Sequence, residues 1–199
     1  MSKGNGSTRI PKRYNVQNVK SRIGTNALAL LNIVQKEGWS EKNQDRYREV
    51  FNKVYDEEQK QHSMMPTKLK NEDEKNAVAE YQRWGFESIN EKLRSNRPLD
   101  KKEEAVKQQI DKIIQRTTLS KDVIVYRGTQ NKPTATNKGY TSTSRMATVA
   151  EHFSSGMYGS KHMYAYRIPK GTHCLVIGGA EDEIIFPRNF NIAKYKIKI

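Results

Sequence analysis

Ile177-Gly178-Gly179-Ala180-Glu181-Asp182-Glu183-Ile184-Ile185-Phe186-Pro187-Arg188 places two carboxylates, Glu181 and Glu183, two residues apart. The Gly-Gly pair before them is flexible, and Glu183-Ile184-Ile185-Phe186 reads as a buried strand. Glu183 is therefore expected at the fixed start of a strand, with Glu181 riding on the loop before it. An acidic turn beside an ordinary edge strand would give the same letters, so other stretches have to decide. Val123-Ile124-Val125-Tyr126-Arg127-Gly128 is a β run that ends in an arginine before a glycine, and Gly139-Tyr140-Thr141-Ser142-Thr143-Ser144 is a second that ends in hydroxyls.

Around these runs the apolar period is 2: strands are predicted at 122–127, 138–143, 162–168, 172–177, 183–187 and 190–198, with one short helix from Met146 to Phe153. Upstream the period is 3.6. Leu28, Leu30, Leu31, Ile33 and Val34 mark a first helix ended by Gly38, and Ser40-Glu41 caps a second that runs to about Gln61 with Tyr47, Val50, Phe51, Val54 and Tyr55 on one face. A third opens at Asn71-Glu72-Asp73-Glu74, acids that suit the positive end of a helix dipole, and its core stripe is Val78, Tyr81, Trp84 and Ile89. Asn90 and Arg94, four apart, project from one side of it. Pro98-Leu99-Asp100 starts a fourth helix through Arg116. Helices first and strands afterwards is an α+β order, not the βαβ alternation of a Rossmann fold. There is no Gly-x-Gly-x-x-Gly or Gly-Lys-Ser/Thr loop and no internal repeat.

The 199 residues suit one domain with a real core: a basic arm at 1–25, then a single domain at 26–199 made of a helical part, 26–118, and a mainly β part, 119–199. Hydrophobic content of 35% with 29% charged residues is polar, yet patterned. The net charge of +14 is uneven: residues 1–25 hold six Lys/Arg and no acid, 26–118 hold 18 against 17, and 119–199 hold 12 against 5. The excess on the arm and the motif-bearing half favours polyanionic partners, whether nucleic acid, a dinucleotide or an acidic protein, although a solvated basic surface would read alike. A lone Cys174 and four scattered His exclude a disulfide framework and give no metal cluster. No apolar run reaches the roughly 20 residues that span a bilayer, and the N-terminus lacks a signal-peptide core, so a cytoplasmic place of action, in the producing cell or in one reached by injection, is expected without a membrane partner.

Arginine, then Ser-Thr-Ser, then Glu-x-Glu, each on a strand edge and in that order, resembles the arginine-serine-glutamate class of mono-ADP-ribosyltransferases, in particular the clostridial exoenzyme-like toxins. Ile89-Asn90-Glu91-Lys92-Leu93-Arg94 matches the helical Ile-Asn-x-x-Leu-Arg segment of that family, and Pro169-Lys170-Gly171-Thr172 matches a turn seen in it. The resemblance runs from about Asn71 to Ile199. It implies two antiparallel sheets packed across an NAD cleft with a helical layer at one side; at this length a separate cell-binding domain is not expected. It implies that Asn90 and Arg94 meet the NAD phosphates, a role that suits the planar guanidinium fork, and that Phe153 lies near the nicotinamide ring. The family's loop before the Glu pair often carries an aromatic that helps recognise the substrate; here the third position before Glu181 is Gly178, which weakens the case for recognition by that loop. Glu-x-Glu in place of Gln-x-Glu points to an arginine acceptor.

The chemistry fits these residues. Breaking the nicotinamide–ribose bond builds positive charge on the ribose, which a fixed carboxylate, Glu183, stabilises. Ser142 orients Glu183, Thr143 and Ser144 support the sheet, and Arg127, with Gly128 clearing its approach, meets the diphosphate. Glu181 serves the acceptor. The expectation is a mono-ADP-ribosyltransferase that uses NAD without a metal and modifies a protein. ADP-ribosylation of a nucleic acid is the alternative within the class, and an inactive nucleic-acid-binding module the alternative outside it. An inhibitor or antitoxin partner stays open.

Overall fold

Residues 23–38, 40–129, 137–155 and 162–199 are described by the computed structural model. The basic residues of the expected arm, Lys3, Arg9, Lys12, Arg13, Lys20 and Arg22, lie outside them. Ile23, the first described residue, is 3% exposed and belongs to the core. Helix α1, Thr25–Asn32, follows at once, burying Ala27, Leu30 and Leu31, and a wide turn at Ile33–Glu37 carries it to Gly38, whose φ of 65° stops it. A short turn, Glu41–Asn43, leads into α2, Gln44–Glu58. Of the apolar face expected on α2 only Val54 is fully buried, and Tyr55 is 47% exposed.

The third expected helix is two helices joined by a π turn. Asn71 caps α3, Glu72–Glu80, by accepting from the Glu74 amide at 3.0 Å; residues Tyr81–Gly85 widen the coil; and α4 is Phe86–Arg94. Helix α5, Lys101–Arg116, starts with a reciprocal box in which Asp100 and Glu103 each accept the other's amide at 2.8 Å. Its last residue, Arg116, grips both carboxylate oxygens of Glu74 at 2.7 Å and so ties the end of α5 to the start of α3.

The strands are β1, Val123–Gly128, β2, Thr141–Ser144, β3, Met163–Ile168, β4, Leu175–Gly178, and β5, Glu183–Phe186, with helix α6, Ala147–Ser155, between β2 and β3. They form one antiparallel sheet in the order β3-β1-β2-β5-β4. The α+β order is as expected. The second sheet is not seen among the described residues, and neither is a strand over 190–198. That segment forms a turn at Ile192–Tyr195 with a single bridge, Tyr166 to Lys196. Pro187 removes a donor, Asn189 takes a positive φ of 60°, and Phe186, Phe190 and Tyr195 stack in series with centroids 4.8 and 5.6 Å apart, so the apolar residues read as a strand pack as a folded-back cap.

Three apolar clusters hold the layers. Helices α1, α2 and α6 meet β1 and β3 around Leu30, Leu31, Val54 and Ala165; α3, α4 and α5 meet Tyr140, Leu175 and Ile185; the C-terminal cap meets Val125, Val176 and Phe186. Each fully buried aliphatic or aromatic side chain contributes about 1.5–3 kcal/mol. A hollow lies over the central strands β1, β2 and β5.

Candidate active site

The strand order makes β1, β2 and β5 neighbours although β5 starts 42 residues after β2 does. Ser144 pairs directly with Glu183 and also with Tyr126, the residue before Arg127, so the three motifs read separately in the sequence meet at one edge. All eight candidate residues, Asn90, Arg94, Arg127, Gly128, Ser142, Phe153, Glu181 and Glu183, line one cavity of about 670 Å³. That volume lies in the range of small-molecule sites, about 300–1,000 Å³.

Glu183 is half-buried at the start of β5. Burial pushes its carboxyl up to about 7; the Ser142 hydroxyl bonds to it and opposes that rise, and the Glu181 carboxylate adds to it. Across the cavity, Arg127 donates to the Ser142 carbonyl. Burial and the neighbouring Arg94 both press the Arg127 pKa downward. Two guanidinium groups thus share the cavity. Arg94 donates from Nε to Asn137 at 3.0 Å, and among the described residues no carboxylate pairs with either arginine. Adjacent like charges without a counter-ion suit an anionic ligand.

Two candidates sit differently from the expectation. Asn90 is 3% exposed and its amide is engaged throughout: Nδ2 donates to the Tyr81 hydroxyl at 2.9 Å and the Phe86 carbonyl at 2.8 Å, and Oδ1 accepts the Tyr140 amide at 2.8 Å. It braces α4 against β2, with no donor left for a phosphate. Gly128 also has a packing reason, since a Cβ there would lie 1.8 Å from the Ala150 carbonyl oxygen on α6. The strand end and the helix approach each other only because that side chain is missing. Phe153, on the last turn of α6, is 51% exposed at the cavity wall, and Phe86 of α4, 42% exposed, is a second aromatic there.

The Glu-x-Glu turn is more firmly held than a loop after Gly-Gly would suggest. Gly178 and Gly179 have φ of 68° and 70°, and a single 3-10 turn, Gly179–Glu181, leads to Asp182 at φ 43°. Ser144 donates to the Glu181 carbonyl at 2.5 Å and Thr143 to the Ile184 carbonyl at 2.9 Å, the supporting role expected of both. Asp182, 3% exposed, pairs with Arg145 at 2.8 Å and accepts the Met64 amide at 2.9 Å. The backbone of Glu181 is therefore fixed while its side chain stays exposed. Asp182, Arg145 and Met64 escaped the sequence reading because nothing periodic marks them. Glu58 escaped it too: at 6% exposure it accepts the Ala147 and Thr148 amides and the Thr148 hydroxyl, capping α6 from the end of α2. Tyr81, edge-on to Tyr140 at 5.5 Å, was read as core yet also lines the cavity. Among the described residues no group of three or more His, Cys, Asp or Glu is placed to hold a metal.

Solved structures share this fold. Exoenzyme S of Pseudomonas aeruginosa, in a complex with human 14-3-3 protein beta and carba-NAD, is 16% identical over 87% of this chain and 75% of its own, with a TM-score of 0.50. The C3 exoenzyme of Clostridium limosum is 19% identical over 73% and 82%, TM-score 0.47, and the C3larvin toxin of Paenibacillus larvae 24% identical over 61% and 82%, TM-score 0.43. No curated protein matches the sequence. The profile described as ADP-ribosyltransferase exoenzyme matches residues 36–136, half of the chain, from the π turn of the first helix past Asn90, Arg94 and Arg127. With that match and this fold, the chain belongs to the ADP-ribosyltransferase exoenzyme family of mono-ADP-ribosyltransferases.

Proposed function

We propose that this chain transfers ADP-ribose from NAD to an arginine of a protein acceptor and releases nicotinamide. One observation carries the reading: a half-buried carboxylate, Glu183, lies in the same ligand-sized cavity as two guanidinium groups that no carboxylate of the described residues neutralises. A dinucleotide presents the complementary pattern, a diphosphate at one end and a centre of developing positive charge at the other. The carba-NAD held by exoenzyme S supports NAD as the donor.

In this reading Arg127 and Arg94 hold the diphosphate, and Asn90 acts through Tyr140 by fixing the helix that carries Arg94. Ionised Glu183, oriented by Ser142, lies against the ribose whose C1′–N bond breaks, and the bonding pair leaves on nicotinamide. The acceptor guanidinium nitrogen then bonds to C1′, and its proton passes to Glu181, whose exposed side chain stands at the cavity mouth on a fixed backbone. Phe86 and Phe153 supply apolar walls against which a heterocycle stacks. The acceptor assignment rests on Glu-x-Glu, and the proposed place of action is a cytoplasm, where NAD is at hand. The gathering of eight motif residues around one cavity favours an enzyme over a basic module that only binds nucleic acid.

Labelled NAD incubated with the protein and a cell lysate tests this. Label that disappears with protease and survives nuclease supports a protein acceptor. Label that behaves oppositely moves the acceptor to nucleic acid, and no label with no nicotinamide release refutes the enzyme reading.

A further inference from the structure

Met65 is 87% exposed, far more than Tyr55, Phe86 or Phe153, the other large apolar side chains at the surface of the described residues. Exposure alone means little for one residue, but the backbone around this one is held on both sides. On one side His62 gives its carbonyl to Arg145 at 3.2 Å and Met64 gives its amide to Asp182 at 2.9 Å. On the other, Thr67 bonds twice with Val176, its amide to the carbonyl at 2.9 Å and its hydroxyl accepting the amide at 3.0 Å, so the segment docks along the free edge of β4. Its middle also presses on the turn: a Cβ on Gly178 would lie 3.0 Å from the Met64 carbonyl oxygen and 3.3 Å from Pro66. The contacts made by Met64 and Pro66 thus fall on Gly178 and Asp182, the two ends of the turn that carries Glu181.

A long, unbranched, soft side chain held out to water by a fixed backbone serves contact with another molecule better than it serves the fold. We infer that Met65 is a specificity-determining residue which packs on an apolar patch of the protein acceptor beside the side chain that receives ADP-ribose. The inference rests on the proposed function, and it names a second point of contact for the acceptor, next to Glu181 and outside the NAD cavity, whose lining does not include Met65. The occupant is the protein acceptor, whose chain carries on past the modified side chain, whereas a free guanidine has nothing beyond the group that receives ADP-ribose. Truncating the side chain removes contact from the acceptor and nothing from the core, so it acts on the acceptor's KM.

The test compares full-length wild type with Met65→Ser and Met65→Leu in three assays: acceptor-free nicotinamide release, transfer to agmatine as a small guanidine, and transfer of labelled ADP-ribose to lysate protein. For Met65→Ser the expected result is protein labelling lowered ~10-fold or more through KM, with nicotinamide release, agmatine labelling and melting temperature within twofold or 1 °C of wild type, in order of magnitude. Met65→Leu, which keeps the apolar volume, should restore most of the protein labelling. Protein labelling unchanged in Met65→Ser, or agmatine labelling lost in parallel with it, overturns the inference and leaves the proposed function standing. Label found on nucleic acid, or dimers of the free protein that depend on Met65, also overturns it. Absence of nicotinamide release by wild type refutes the proposed function itself.

Discussion

Glu183→Gln should make the protein more stable at neutral and alkaline pH while destroying its chemistry. Glu183 titrates at about 7 in the folded protein against 4.5 in the unfolded chain. A carboxyl raised in this way is bound by its proton more tightly in the native state, so the stability it allows is present below 4.5 and is lost as pH climbs through 7. The gap corresponds to on the order of 3 kcal/mol at pH 8, and solvent reaching the half-buried group lowers that toward about 2. Gln keeps the shape and the Ser142 hydrogen bond and carries no charge to desolvate. Thermal unfolding of both proteins should therefore show a gap in favour of Glu183→Gln of roughly 5–10 °C at pH 8, taking ~2–4 °C per kcal/mol for a chain of this size. At pH 5 the same ionisation costs under about 1 kcal/mol and the gap should nearly close. A gap equal at both pH values, or a wild type that is the more stable at pH 8, would refute the claim that burial holds this carboxylate up.

The two glutamates should separate by assay: Glu181→Gln keeps acceptor-free NAD hydrolysis and loses transfer by ~10²-fold, and because the Glu181 charge helps to raise Glu183, the acid limb of its hydrolysis profile should move to lower pH. Ser142→Ala removes the hydrogen bond that opposes that rise, so its limb should move to higher pH; kcat/KM profiles read both shifts. Arg127→Ala should raise KM for NAD by ~10-fold or more, and Arg127→Lys by less, since a point charge survives but the fork does not. Gly128→Ala should cost at least about 1–3 kcal/mol in denaturant unfolding, because the added Cβ at 1.8 Å from the Ala150 carbonyl must part β1 from α6.

The cavity-lining motifs of the mainly β half were legible because they are short, linear and of unusual residue types: an arginine or a glutamate at a strand edge stands out against a period of 2. Helix starts were legible for a related reason, since Asn71 and Asp100 are local caps whose partners lie three residues away. What stayed hidden depends on long-range geometry. The π turn at Tyr81–Gly85 carries no signature, yet it holds Tyr81 and Trp84 of the core stripe together with Tyr81 and Gln82 of the cavity lining. Asn90 matches a motif in sequence, but its burial against Tyr140, 50 residues away, gives its amide to the fold. The C-terminal run looked like a strand because aromatic and β-branched residues fill it; Pro187 and the left-handed Asn189 turn it into a cap, leaving one sheet among the described residues where two were expected. Glu58 and Asp182 carry no local signal and are buried anchors of α6 and of the Glu-x-Glu turn.

Nicotinamide release from millimolar NAD at pH 8, without acceptor, by wild type and Glu183→Gln side by side, tests the central claim most directly. Steady release by wild type and a loss of ~10²-fold or more in the variant, with NAD binding retained by calorimetry, is the predicted result. Equal rates in the two proteins, or no binding and no release by wild type, would contradict the assignment of this cavity and of Glu183 to NAD cleavage.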